Sequence, residues 1–171
     1  MARCGEHHVV TVRFSAVTSI EWPKGFRALA ANIGIKDDTP DFSAVIGDEG
    51  TISVAAFTKS RFAGCSVLIS REHAATGRAR GVVTISKNSN VATGEEGERN
   101  AREVLAAVAD ATGIDARELI IGSTGVIGRQ YPMDRVRAFL KSLPERPFDA
   151  TVHDVAVAMM TTDTVPKVAS R

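Results

Sequence analysis

Apolar and polar positions divide the chain into a first half that reads as strands and a second half that alternates helices with strands. Val9–Ser15 alternates apolar and polar side chains, the period of a half-buried strand. Phe42–Ile46 and Ile52–Thr58 are short apolar runs on either side of Gly47-Asp48-Glu49-Gly50, a strong turn signal, and together they predict a hairpin. Val67–Ser70 and Gly81–Ser86 are further strand candidates. The second is β-branched and apolar enough for a central position.

Downstream, Thr93 and Glu96 have the spacing of a capping box, with acidic residues filling the turn that follows. Ala101, Val104, Leu105, Val108 and Ala111 share one helical face, which Gly113 ends. Leu119–Ile121 predicts a short buried strand that leads at Gly122 into a loop. Met133, Val136, Leu140 and Leu143 mark a second amphipathic helix, stopped at Pro144. Val152, Val155, Ala156 and Met159 mark a third, running into Thr161-Thr162-Asp163-Thr164 before Pro166 blocks continuation. The expected class is α+β, with helices packed on a mixed sheet. No internal repeat or long linker divides residues 1–171, so one domain is expected.

Composition narrows the function classes. Aromatic residues make up only 5% of the chain, so the core must be built from Val, Ile, Leu and Ala. Lys and Arg number 21 against 20 Asp and Glu, which leaves no basic field for nucleic acid or an anionic membrane. No apolar run approaches the ~20 residues of a spanning helix. The N-terminus turns charged and alternating too early for a secretory leader. Cys4 and Cys65 form neither a disulfide framework nor a metal-ligand pattern, so a reducing cytoplasm and no metal are expected.

Candidate chemistry centres on Gly122-Ser123-Thr124-Gly125, between a buried strand and a helix. Such a loop can present backbone N–H groups and a hydroxyl, the elements of an oxyanion hole, because glycine turns without a Cβ clash. It can equally be a glycine-rich connection with a Ser/Thr turn. The pattern is not a phosphate loop, since GxxxxGK[ST] is absent. Thr161-Thr162-Asp163-Thr164 is either a polar pocket wall or a solvated helix end. Asn88-Ser89-Asn90 is either a ligand-holding loop or a turn. His7, His8, His73 and His153 are isolated or near a terminus, and Cys65 reads as a small core residue. No HExxH, CxxC or GxSxG occurs.

Taken in order, these blocks resemble the ornithine acetyltransferases. Pro23-Lys24-Gly25-Phe26-Arg27 looks like that family's opening PKGF segment. Ala56–Gly64 with Val67 resembles its FTxNRxxAAPV region, and Asn88–Glu95 its NANACTGE turn. Ser123–Gly128 with Pro132-Met133 matches STGVIGxxLPM, and Met159–Thr164 with Pro166-Lys167 matches IMTTDTxPK. The resemblance spans about residues 22–168.

The resemblance implies a self-cleaving, N-terminal-nucleophile type of acyltransferase fold, of which this chain is the α-chain half. The cut frees an N-terminal threonine on a second, β chain, and its own α-amine, with a pKa near ~8, acts as general base. That threonine takes acetyl from N-acetylornithine and passes it to glutamate in a ping-pong transfer without a cofactor. Thr124 and Gly125 map onto the family's oxyanion pair, and Thr161 onto its substrate-contacting threonine. An α2β2 heterotetramer is implied. The family's KGxGMIxPxMAT block, which ends in the nucleophile, is absent, so the chain alone is expected to be inactive. Ser89, Val91, Ala92 and Arg129-Gln130-Tyr131 depart from the usual spellings and resemble variants of secondary-metabolite pathways. Two further readings share these residues: a subunit of a related N-terminal-nucleophile aminopeptidase or amidohydrolase, and a truncated, non-catalytic domain.

Overall fold

A computed structural model describes residues 20–36 and 38–169. The expected strand Val9–Ser15, with His7, His8 and Cys4, lies outside them. Among the described residues, four strands form one mixed sheet in chain order: β1 (Phe26–Ala31), β2 (Phe42–Gly47), β3 (Gly81–Ile85) and β4 (Leu119–Ser123). β1–β2 and β2–β3 are antiparallel, whereas β3–β4 are parallel, with Gly81 opposite Leu119 and Ile85 opposite Ser123. The helices are α1 (Cys65–Ala74), α2 (Gly94–Thr112), α3 (Met133–Ser142) and α4 (Val152–Ala158). The long α2 makes the crossover that a parallel pair requires.

The strand period sorts the sheet into two faces. Leu29, Phe42, Ala44, Ile46, Val83, Ile85, Leu119 and Ile121 point into one core with Ile69 of α1, Val104, Leu105 and Val108 of α2, and Val136, Phe139 and Leu140 of α3. The opposite face is covered only in part. α4 packs there on β1 and β2, and Ser86 Oγ donates to Ala158 O at 2.7 Å. On central β3, Val82 stays 42% exposed.

The α+β expectation holds, and so do central β3, β4 and the three predicted helices. Gly113 ends α2 in the left-handed conformation, φ 71°. The predicted hairpin does not form. The turn is present, with Thr51 N–H and Oγ1 both donating to Asp48 O, but residues 51–60 form no strand and Ile52 and Val54 are exposed. A strand has two edges, and those of β2 are occupied by β1 and β3.

Val67–Ser70 belongs to a helix instead of a strand. The face that α1 buries, Ser66, Ile69, Ser70 and His73, is mostly polar because it seals an open sheet edge. Ser70 Oγ donates to Ile121 O and accepts from Ile121 N–H, each at 2.7 Å, and His73 Nδ1 lies 2.7 Å from Leu119 O. Backbone groups that a fifth strand would have paired are satisfied by side chains. Thr93 does precede α2, but its hydroxyl makes no cap bond. A complete capping box forms at Thr151 and Asp154 of α4.

Candidate functional site

Because β3 and β4 are parallel and end together, the loops that follow them leave the sheet side by side. One, residues 86–93, leads to α2, and the other, residues 124–132, leads to α3. Backbone bonds zip them together: Thr124 N–H to Ile85 O (3.0 Å), Val126 N–H to Lys87 O (3.2 Å), Ser89 N–H to Val126 O (2.9 Å) and Gly128 N–H to Val91 O (2.8 Å). Side chains reinforce the seam. Asn88 Nδ2 donates to Arg129 O and Gln130 O, and Gln130 Nε2 donates to Thr93 O at 2.7 Å.

The close approach dictates a glycine. Gly125 has φ +130°, and a Cβ there would stand 2.3 Å from Lys87 C and 2.6 Å from Asn88 N. Beside it, the Thr124 N–H is engaged by Ile85, while the exposed Thr124 hydroxyl has no hydrogen-bond partner among the described residues. The next amide, of Val126, is engaged by Lys87. Among the described residues, Gly125 N–H is therefore the one amide of these three without a backbone acceptor. An unpartnered hydroxyl and an unpartnered N–H thus stand on adjacent residues of an exposed turn.

The opposing loop holds this geometry at a conformational cost. Lys87 (φ 69°), Asn90 (φ 49°) and Ala92 (φ 57°) all lie in the left-handed region, which costs a non-glycine residue roughly 1–2 kcal/mol each. Asn90 tolerates it best and is fully buried. Its Oδ1 accepts from Thr93 Oγ1 (2.7 Å), its Nδ2 donates to Gly97 O (2.9 Å), and its carbonyl accepts from Cys65 N–H (3.1 Å). That bond to Asn90 explains why the Thr93 hydroxyl does not cap α2. Asn88-Ser89-Asn90 therefore builds the loop frame.

Beneath the turn lies a file of hydroxyls. Ser66 Oγ is 2.6 Å from Ser123 Oγ, which is 2.6 Å from Tyr131 Oη. Burial pushes the Tyr131 hydroxyl above its ordinary pKa, while hydrogen bonds from Ser123, Ser66 and Asn90 oppose that shift. Ser123 belongs to the STGVIG block, but neither its contact with Ser66 nor its contact with Tyr131 was read from the sequence. For the tyrosine, a signal was that it is the chain's single one, two residues before a helix.

Thr161 is exposed and follows α4. It sits at the same end of the sheet as Thr124: the α4 end is tied to Ser86 through Ala158 O, and Thr124 is tied to the preceding residue, Ile85. The structure gives no hydrogen bond between Thr161 and Thr124 among the described residues. Nearby Asp163 pairs with Lys167, which holds its carboxyl below the usual range. A cleft of about 430 Å³ beside α4, between Trp22, Val155, Met159, Val165 and Val168, includes neither Thr124 nor Gly125. Cys65 is half-buried at the head of α1, His73 serves the sheet edge, and His153 is exposed.

The sequence profile of the ArgJ family matches residues 27–171. The chain belongs to the ArgJ family. It is 51% identical over 146 residues to the glutamate N-acetyltransferase Oat2 of Streptomyces clavuligerus, covering 85% of this chain and 37% of that protein. It is 44% identical over 156 residues to an arginine biosynthesis bifunctional protein ArgJ of a Nostoc strain, covering 91% of this chain and 40% of that protein. The chain thus spans well under half the length of these ArgJ relatives. Among solved structures, the ornithine acetyltransferase of Mycobacterium tuberculosis complexed with ornithine superposes with a TM-score of 0.76 at 32% identity. That superposition covers 84% of this chain and 79% of the solved chain. The resemblance read from the five sequence blocks is confirmed, together with its fold.

Proposed function

We propose that this chain supplies the oxyanion hole of a glutamate N-acetyltransferase whose nucleophile lies on a second polypeptide. The observation that carries this reading is the Thr124–Gly125 turn, where one hydroxyl and one N–H are left unpartnered side by side on a frame that glycine alone fits. Two such donors hold the charge that develops when a nucleophile adds to an amide or ester carbonyl. In the proposed cycle a threonine hydroxyl of the second chain attacks the acetyl carbonyl of N-acetylornithine. The tetrahedral oxyanion rests on Thr124 Oγ1 and Gly125 N–H, and ornithine leaves with a proton. The α-amine of glutamate then attacks the acetyl-threonine through the same hole. Self-cleavage of the precursor passes through an equivalent oxyanion, and Thr161 contacts the substrate from the neighbouring segment.

Two observations support a second chain. The chain spans 37% of the Streptomyces relative but 79% of the solved M. tuberculosis chain, a difference expected if the mature protein is divided in two. Apolar surface is also left uncovered: Ile52 is 86% exposed, Val54 98% and Ile127 60%. We extend the reading to a cytoplasmic α2β2 assembly.

The test is an assay of the natively purified protein with N-acetylornithine, with and without glutamate. Formation of N-acetylglutamate and ornithine in equal amounts is expected. Release of ornithine at the same rate without glutamate would make water the acceptor and the protein a hydrolase. Intact-mass analysis that finds no second polypeptide would remove the transferase reading for this product.

A further inference from the structure

The hydroxyl file beneath the turn centres on Ser123. Its Oγ contacts Ser66 Oγ and Tyr131 Oη, each at 2.6 Å, and a hydroxyl oxygen can accept two hydrogen bonds while donating one. Close by, Asn90 is pinned by Thr93 Oγ1 on its Oδ1 and by Gly97 O on its Nδ2, so the loop beside the file is fixed. Ser66 and Tyr131 are each 3% exposed, so water does not compete. Ser123 is held from both sides, and the residue after it is Thr124.

We propose that Tyr131 is a positioning residue for acyl transfer: through Ser123 its hydroxyl fixes the turn so that the Thr124 hydroxyl stays aimed at the developing oxyanion. This rests on the reading of Thr124 as an oxyanion donor. Tyr131 touches no substrate, and its effect passes through Ser123 and Thr124.

Tyr131→Phe removes the hydroxyl and keeps the ring that fills the core. In the native two-chain protein kcat should fall about 3- to 10-fold, the scale of one net hydrogen bond. KM for N-acetylornithine should stay within about 2-fold, because the oxyanion exists only in the transition state. In a Thr124→Val background the same change should cost less than about 2-fold, because the hydroxyl it positions is gone. Ser123→Ala should mimic Tyr131→Phe, and the double variant should be no worse than either single one. A separate readout needs no activity: Tyr131 is the only tyrosine of this chain, so selective tyrosine labelling should reveal a slowly exchanging hydroxyl proton that Ser123→Ala abolishes. Wild-type kcat in Tyr131→Phe, a change carried by KM, an undiminished effect in Thr124→Val, or a fast-exchanging hydroxyl would overturn the assignment. If the unaltered protein transfers no acetyl, the reading of the hole fails and this role fails with it. If it does and Tyr131→Phe is silent, the positioning role alone fails.

Discussion

Replacing Thr124 by valine separates function from folding at this site. The two side chains are nearly isosteric and both β-branched, so the backbone can keep its conformation. The Thr124 N–H bond to Ile85 O at 3.0 Å is untouched. The hydroxyl itself is exposed and makes no hydrogen bond in the described structure, so its removal leaves no buried group unsatisfied. Stability should therefore change by no more than about 0.5 kcal/mol, a Tm shift of about 2 °C or less at this size. Activity should respond differently. Loss of one oxyanion donor typically costs about 2.7–4 kcal/mol of transition-state stabilisation, a ~100- to 1,000-fold drop in kcat. Substrate does not yet carry the oxyanion in the ground state, so KM should hold. The assay is steady-state formation of N-acetylglutamate beside a thermal melt of the same preparation, with mature β chain confirmed by mass. A kcat within about 3-fold of wild type would refute the oxyanion role of Thr124. A drop in kcat matched by a drop of ten degrees in Tm would show that the turn had collapsed instead.

Gly125→Ala brings a Cβ to 2.3 Å from Lys87 C, so the turn must retreat by roughly 1 Å, a displacement that can cost ~100-fold in rate. Turnover and precursor self-cleavage should both slow, which unprocessed precursor on a denaturing gel would report. Gly97→Ala places a Cβ 2.0 Å from Thr93 Oγ1 and 2.5 Å from Asn90 Oδ1, forcing that hydrogen-bonded pair apart. A loss of about 1–3 kcal/mol in denaturant unfolding is expected, and an unchanged midpoint would contradict the packing described for Asn90. Burial raises the Tyr131 pKa above 10, so the folded state retains a proton that the unfolded chain releases. The stability this contributes is present below pH 10 and lost as pH rises through the raised value. Tyr131→Phe should flatten the alkaline decline in Tm, and parallel declines in both proteins would reject the linkage.

Helix α2 and strand β3 were legible because their signals were local and unopposed. The apolar face Ala101, Val104, Leu105 and Val108 is buried as its spacing predicts, and Gly113 stops it. Strand β1 was not legible, because three of its six residues are alanine, which carries little β preference. α1 was misread because its inward face carries Ser66, Ser70 and His73, polar groups recruited to close a sheet edge that no sequence period announces. The hairpin failed for a topological reason: an apolar run and a good turn cannot choose a partner when both edges of β2 are taken from elsewhere in the chain. Thr124 and Gly125 were visible as spelling. Their surroundings were not, since Lys87, Asn88 and Tyr131 come from separate segments or serve through hydroxyl contacts.

That frame bears on how an active centre divided between two polypeptides could work. Three left-handed residues in six, together with a glycine at φ +130°, form a strained arrangement that would relax if the loops were loose. It persists because both loops are fastened at each end: to β3 and β4 by the ladder, to α2 by Asn90 and Gly97, and to each other by the amides of Ser89, Val126 and Gly128. None of these bonds requires a residue from a second chain. On the proposed reading the donors would accordingly be preformed, and a nucleophile arriving from elsewhere would meet a hole that needs no rearrangement to accept charge. Preorganisation of this kind is what makes fixed dipoles effective in a transition state. On the proposed reading the two polypeptides would have unequal tasks, with geometry supplied by this chain and reactivity by a second one.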